Sequence, residues 1–148
     1  MMCMVQAIEV FATGLVAGIF VMSAFAVLPA AAKLDDSAHV LMRQHLTRPL
    51  SRFIPPLLLL PIAASIGGVT LCRASVSLIF DTLACFLSLA TVAITVVVNG
   101  SLSRRFAQWD SEALPRDWQR EIRRWNIAHF VRMVASVGAF VCAILAAI

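Results

Sequence analysis

The chain has 148 residues, of which 61% are apolar and 14% charged, with a mean hydropathy of +0.90. That is too much apolar and too little charged matter for a soluble domain, so the chain reads as an integral membrane protein. Its net charge of +4 does not point to nucleic acid, because the basic residues flank apolar runs rather than sharing a water-facing surface with aromatics.

A helix needs about 20 mainly apolar residues to cross about 30 Å of hydrocarbon. Four stretches qualify, at about 7–32, 53–72, 76–98 and 127–148. The first span could instead be a cleaved signal peptide, because "VLPAAAK" ends in small residues. However, "MMCMVQAIEV" has no Lys or Arg, contains Glu9, and leads into an apolar run longer than a signal sequence uses, so the span is read as retained. In the connection after it, "DDSAHVLMRQHLTR" predicts a helix capped by Asp36 or Ser37 and ended by Pro49, with His39 solvated. The short link 73–75 makes the second and third spans an antiparallel hairpin. Pro115 precedes "RDWQREIRRWN", a helix former that can run unbroken into the fourth span.

Orientation follows from the basic residues. Lys33, Arg43, Arg48 and Arg52 lie in the first connection, and Arg104, Arg105, Arg116, Arg120, Arg123 and Arg124 in the third, whereas the second holds only Arg73. The positive-inside rule then makes connections one and three cytoplasmic and places both termini outside. With no repeat or low-complexity tract, the expectation is one domain: an all-α, integral membrane four-helix bundle in a bacterial plasma membrane. Cys3, Cys72, Cys85 and Cys142 have no metal-ligand spacing, so free thiols are expected, with a Cys3–Cys72 disulfide as the alternative.

Polar residues inside the spans carry the functional signal. Trp125, His129, Arg132 and Ser136, spaced by 4, 3 and 4, fall within about 60° of one helical face. Asp81, Ser88, Thr91, Thr95 and Asn99 fall within about 80° on the third span. On the first, Glu9, Thr13, Ala17, Ser23, Ala24 and Ala31 form a side of small and polar groups suited to close helix approach. A charge in the bilayer costs about 2.5–3.5 kcal/mol on insertion scales, so these faces are expected to turn inward. Glu9 and Asp81 then fall toward the outer side, and Asn99, His129 and Arg132 toward a cytoplasmic-side pocket near Gln44 and His45. The plainer readings are a snorkelling Arg132, a His129 that only bonds a neighbouring helix, Thr91 and Thr95 hydroxyls returned to the preceding turn, and Trp109, Trp118 and Trp125 as an interfacial belt.

Three segments, "FAVLPAAAKLDDSAHVLMRQH", "VVVNGSLSRRFAQWD" and "WQREIRRWNIAHFVR", resemble the anthrone-oxygenase-like membrane family over nearly the whole chain. The third is the most distinctive, with Trp125, His129 and Arg132 at the entrance to the last helix. In the second, the family's proline and second asparagine are replaced by Ser101 and Ser103. The resemblance implies oxidation of an anthrone-like aromatic polyketide to a quinone by dioxygen.

The sequence has no GxGxxG, no recognisable His/carboxylate triad and no Cys ligand set, so no cofactor and no metal are expected. Under this reading His129 is the general base and Arg132, helped by Asn99, holds the developing oxyanion. Gln44, His45, Ser103, Trp125, Asn126 and Ser136 bind substrate. The expected partners are a small aromatic substrate, dioxygen and the lipid bilayer, with a homo-oligomer or a membrane partner left open. The alternatives are haem or copper held by His45 and His129, a non-catalytic membrane accessory subunit, and a cofactor-free polyketide cyclase or isomerase.

Overall fold

In hydrocarbon a backbone N–H or C=O finds a partner only within its own segment, which turns each apolar run into a helix. The computed structural model describes residues 4–71 and 75–148, and the described residues contain helices and no strand. Helix α1 spans Met4–Met22 and continues through a π-helical segment, Ser23–Val27 (π1), into α2, Leu28–Ala31. Helix α3 spans Asp36–Leu71, and α4 spans Ser75–Ile94. A second π segment, Thr95–Gly100 (π2), leads into α5, Ser101–Phe106, and α6 spans Trp118–Ala147. Four of these runs are long and apolar enough to cross a membrane: Met4–Ala31, Asp36–Thr70, Ser77–Phe106 and Trp118–Ala147. Cys3, Cys72 and Arg73 lie outside the described residues, and with them the Cys3–Cys72 disulfide; Cys85 and Cys142 are free thiols.

The helices close a ring in which α1 packs on α3, α3 on α4, α4 on α6 and α6 on α1. Gln6 Nε2 donates to the carbonyl of Ala146 at 2.7 Å, so the first and last helical turns meet at one end of the bundle. The two long connections share the other end. The ring is apolar outside, with Phe11, Phe25, Phe53, Phe86 and Val97 all largely exposed, and polar inside, where Glu9, Thr13, Ser65, Asp81, Thr91, Asn99, His129 and Arg132 are buried. This is the distribution that lipid on the outside requires. An apolar cluster of Val16, Phe20, Leu58 and Met133 sits mid-bundle. Another, Leu102, Phe106 and Ile122 with Trp109, Trp118 and Trp125 against it, closes the connection end. The three tryptophans therefore pack around a core rather than forming only a belt.

Helix α3 corrects two expectations. It does not stop at Pro49 but runs 36 residues with Pro49, Pro55, Pro56 and Pro61 inside it. Proline in a water-exposed helix interior costs about 3 kcal/mol, but membrane helices tolerate it because neighbouring helices and hydroxyl side chains compensate. Its N-cap is Asp35, whose Oδ1 accepts from the Ala38 amide at 2.9 Å, the same capping chemistry one residue earlier than expected. Helix α6 runs without a break from the connection into the membrane span, as "RDWQREIRRWN" predicts.

Candidate functional site

The α6 face read from spacing turns into the bundle: His129, Arg132 and Ser136 are buried and Trp125 half-buried. Arg132 donates to Nδ1 of His129 from Nε at 3.2 Å and from an NH2 at 2.8 Å. A guanidinium has no acceptor, so Nδ1 must carry the lone pair. The other ring nitrogen, Nε2, lies 3.3 Å from the carbonyl oxygen of Phe20, which can only accept. Both contacts select the same species, a neutral imidazole with its proton on Nε2.

The walls are built from the ends of the other helices. Trp125 stacks on His129 with ring centroids 5.2 Å apart and planes 6° from parallel. Its indole N–H donates to Ser103 Oγ at 3.0 Å, so Ser103 serves as an acceptor at this wall. Phe20 meets His129 edge-on at 5.7 Å, and the Arg132 guanidinium lies 4.5 Å from the Phe20 ring centroid. From π2, Thr95 Oγ1 accepts from Arg132 at 3.1 Å, and Asn99 Nδ2 donates to the Trp125 carbonyl at 3.1 Å. The π turns carry extra residues relative to α-helix, and they follow Phe20 on one side and hold Thr95 and Asn99 on the other. Thr91 and Thr95 return their hydroxyls to the carbonyls of Leu87 and Thr91 at 2.9 and 2.7 Å.

Above this floor lies a cleft of about 500 Å³ between α1, α3, π2, α5 and α6. Ile19, Phe20, Leu50, Ile54 and Val96 make its apolar sides, while Asn99, Trp125, His129 and Arg132 line its polar wall, with Arg48 and Arg104 also on the lining. Gln44 and Ser103 line it too, although the Gln44 amide N–H groups are spent on the carbonyls of Phe106 and Trp109 at the end of α5. His45 is exposed and is not a lining residue, so His45 and His129 do not share this cleft. Asn126 is also absent from the lining, and Ser136 faces a separate water-sized space with Thr13, Ser88 and Thr91. Among the described residues no three His, Cys, Asp or Glu side chains gather as a metal site.

One residue of this end escaped the sequence reading. Arg43, counted there only as a topology charge, is buried; its Nε donates to His39 Nε2 at 2.9 Å and an NH2 to Asn126 Oδ1 at 2.7 Å. It also lies 5.0 Å from the Trp125 ring centroid. His39 is correspondingly buried, not solvated, and meets Trp118 edge-on. The signal was the i, i+4 spacing of His39 and Arg43 on one helical face. The hydrogen-bond partners of Arg43 and Arg132 are imidazoles, an amide and a hydroxyl, with no carboxylate among the described residues. Two guanidiniums thus give this end of the bundle a net positive interior suited to an anionic oxygen.

At the opposite end, Ser65 Oγ donates to Glu9 Oε1 at 2.6 Å and Ser77 Oγ to Asp81 Oδ2 at 3.0 Å. Glu9 and Asp81, both fully buried, therefore belong to a polar junction of α1, α3 and α4 well apart from the cleft.

No curated protein and no solved structure matches the chain. A family model does: residues 42–142, from within α3 to within α6, match the model described as anthrone oxygenase, and the chain belongs to that family.

Proposed function

We propose that the cleft binds an anthrone-like aromatic polyketide and that the protein oxidises it to a quinone with dioxygen, without a cofactor. The observation that carries this reading is the buried His129–Arg132 pair at the wall of a largely apolar cleft, in a chain of the anthrone oxygenase family. The cleft volume suits a three-ring aromatic, and its apolar sides suit a ligand drawn from lipid. The basic residues of both long connections favour a cleft on the cytoplasmic side.

His129 takes a proton from the ring methylene that lies opposite the substrate carbonyl, leaving a carbanion delocalised onto the carbonyl oxygen. Because Nδ1 carries the lone pair and Arg132 covers it, abstraction requires Arg132 to turn from Nδ1 to the substrate oxygen. Binding of the substrate carbonyl draws Arg132 off Nδ1, so the base is freed before the oxygen that Arg132 then holds takes on negative charge. The carbanion passes one electron to dioxygen, and the resulting radical and superoxide combine at the same carbon. Protonation of the peroxide and loss of water leave the second carbonyl, so that one anthrone and one dioxygen give one quinone and one water. Trp125, stacked on His129, fixes the imidazole plane and stabilises it when protonated.

The test is to incubate the purified protein with an anthrone while following quinone absorbance and oxygen uptake. The expected result is quinone formation with equimolar oxygen consumption, abolished in His129→Ala protein that still inserts and folds. Conversion without oxygen uptake would make it a cyclase or isomerase, and no conversion by well-folded protein would leave a non-catalytic subunit.

A further inference from the structure

The small space behind the cleft is shaped for a guest that makes no hydrogen bonds. It is about 10 Å³, against about 500 Å³ for the cleft, and so holds one molecule the size of water or dioxygen. Val16, Leu58, Thr91 and Ser136 line it, and on each of these four helical runs the residue four positions nearer the connection end, Phe20, Ile54, Thr95 or Arg132, lines the cleft. The two spaces are therefore about one helical turn apart along the bundle. The partition is a single layer of side chains, since Phe20 faces the cleft and packs in the same apolar cluster as Val16 and Leu58. Four hydroxyl side chains border the space, but those of Thr13, Thr91 and Ser136 are donated to the carbonyls of Glu9, Leu87 and Met133 on their own helices, at 2.7, 2.9 and 2.8 Å. Among the described residues this leaves Ser88 as the one bordering hydroxyl with its proton uncommitted, and the surface turned toward the space is almost wholly carbon. A buried water makes about three hydrogen bonds, whereas spaces walled by carbon stay dry and take apolar guests.

We propose that this space is a dioxygen-binding site, which holds the gas one helical turn from the substrate cleft. The assignment rests on the reading under Proposed function and gives its second reactant a place. The space lies at mid-bundle, beside Val16 and Leu58, where hydrocarbon surrounds the helices and an apolar gas dissolves better than in water. A diatomic gas enters from the bilayer through side-chain fluctuations and needs no mouth of the width an aromatic requires. Holding it there keeps the oxidant next to the reacting carbon instead of leaving the two to meet by diffusion. Phe20 and Arg132 stand at the partition, the guanidinium 4.5 Å from the ring centroid. Dioxygen that crosses this layer meets the substrate carbanion beside a fixed positive charge, which favours the one-electron transfer that turns dioxygen into the superoxide anion.

Dioxygen is paramagnetic and reports its own position by speeding the relaxation of nearby methyl protons. The experiment is methyl NMR of the wild-type protein in lipid nanodiscs under raised oxygen pressure, without substrate. The methyls of Val16, Leu58 and Ala139, on the lining, are expected to relax severalfold faster than those of Ala84 and Ala143, which are buried as deeply but lie off it. Ala139→Val fills the space and is expected to abolish that difference. It should also raise the KM for dioxygen by about threefold or more while the KM for the anthrone changes little. Ala143→Val adds the same bulk one turn away and should do neither. Lining methyls that relax no faster than those of Ala84 and Ala143, or that show cross-peaks to water, overturn the inference even if anthrones are oxidised. An unchanged KM for dioxygen in a folded Ala139→Val protein does the same. Faster relaxation on the lining of a protein that oxidises no anthrone upholds the site while removing the oxygenase reading. The wild-type relaxation alone decides the matter if Ala139→Val does not fold.

Discussion

Arg132 and His129 meet at one atom: two guanidinium nitrogens donate to Nδ1, at 3.2 and 2.8 Å, and leave the imidazole no other lone pair. Under the proposed function, the base and the oxyanion holder are thereby mutually exclusive until a substrate oxygen draws Arg132 away. Arg132→Met should lower kcat by about 10²–10³ with little change in KM, the loss typical of removing one oxyanion donor. Arg132→Lys should recover only part of it, because a single ammonium cannot reproduce the two-nitrogen contact. Steady-state quinone formation measures both, and a Met variant within about threefold of wild type would remove Arg132 from the mechanism.

Arg43 makes a prediction of stability rather than chemistry. Without it, Asn126 Oδ1 and His39 Nε2 lose a buried charged donor, and hydrogen bonds to charged groups contribute about 1.5–3 kcal/mol. Arg43→Met should therefore destabilise the fold by at least about 2 kcal/mol. Arg48→Met removes the same charge from the same connection at an exposed position and should stay within about 0.5 kcal/mol. Thermal unfolding in detergent compares the two. Equal losses would mean that Arg43 acts only as a topology charge.

These two arginines also mark what sequence can and cannot disclose. The α6 face was legible because Trp125, His129, Arg132 and Ser136 obey one helical period, and a charge inside an apolar span has few places to go. The four spans were legible for the same energetic reason. For Arg43 the sequence carried only the i, i+4 spacing from His39, which does not say that this face is buried until a partner 83 positions away, Asn126, is known. The run of α3 past Pro49 was hidden because the cost of proline depends on what surrounds the helix. Nor does a sequence tell which end of the Asn99 amide is free. That depends on the π turn that brings Asn99 against the Trp125 carbonyl, a property of packing between π2 and α6.

The polar junction at the other end supplies a coupling test. Ser65→Ala deprives the buried Glu9 Oε1 of its donor and should cost about 1–3 kcal/mol. Once Glu9 is replaced by Leu, the same serine change has no carboxyl oxygen to strand. The double variant should therefore be more stable than the sum of the single losses by about 1 kcal/mol or more. Denaturation of the four proteins of the cycle measures this, and strict additivity would show that Ser65 and Glu9 do not interact.

Two glycines on α1 separate close packing from mere smallness. A Cβ built on Gly14 would stand 2.8 Å from the Phe140 ring of α6, a separation that real side chains do not tolerate, whereas one on Gly18 meets nothing within 4 Å. Helices in lipid gain little from hydrophobic transfer between one another, so contact between their surfaces carries the association, and small residues let those surfaces meet. Gly14→Ala must push Phe140 or part the helices, and overpacking of this kind costs about 1–3 kcal/mol. Gly18→Ala adds only helix propensity and should be neutral or stabilising by up to about 1 kcal/mol. Because α1 carries Phe20 to the cleft, parting α1 from α6 should also weaken the Phe20 carbonyl contact to His129 Nε2 and reduce turnover along with stability. Melting temperature and quinone formation for the pair test this, and a Gly14→Ala protein as stable as Gly18→Ala would show that the α1–α6 contact is not close-packed at that point.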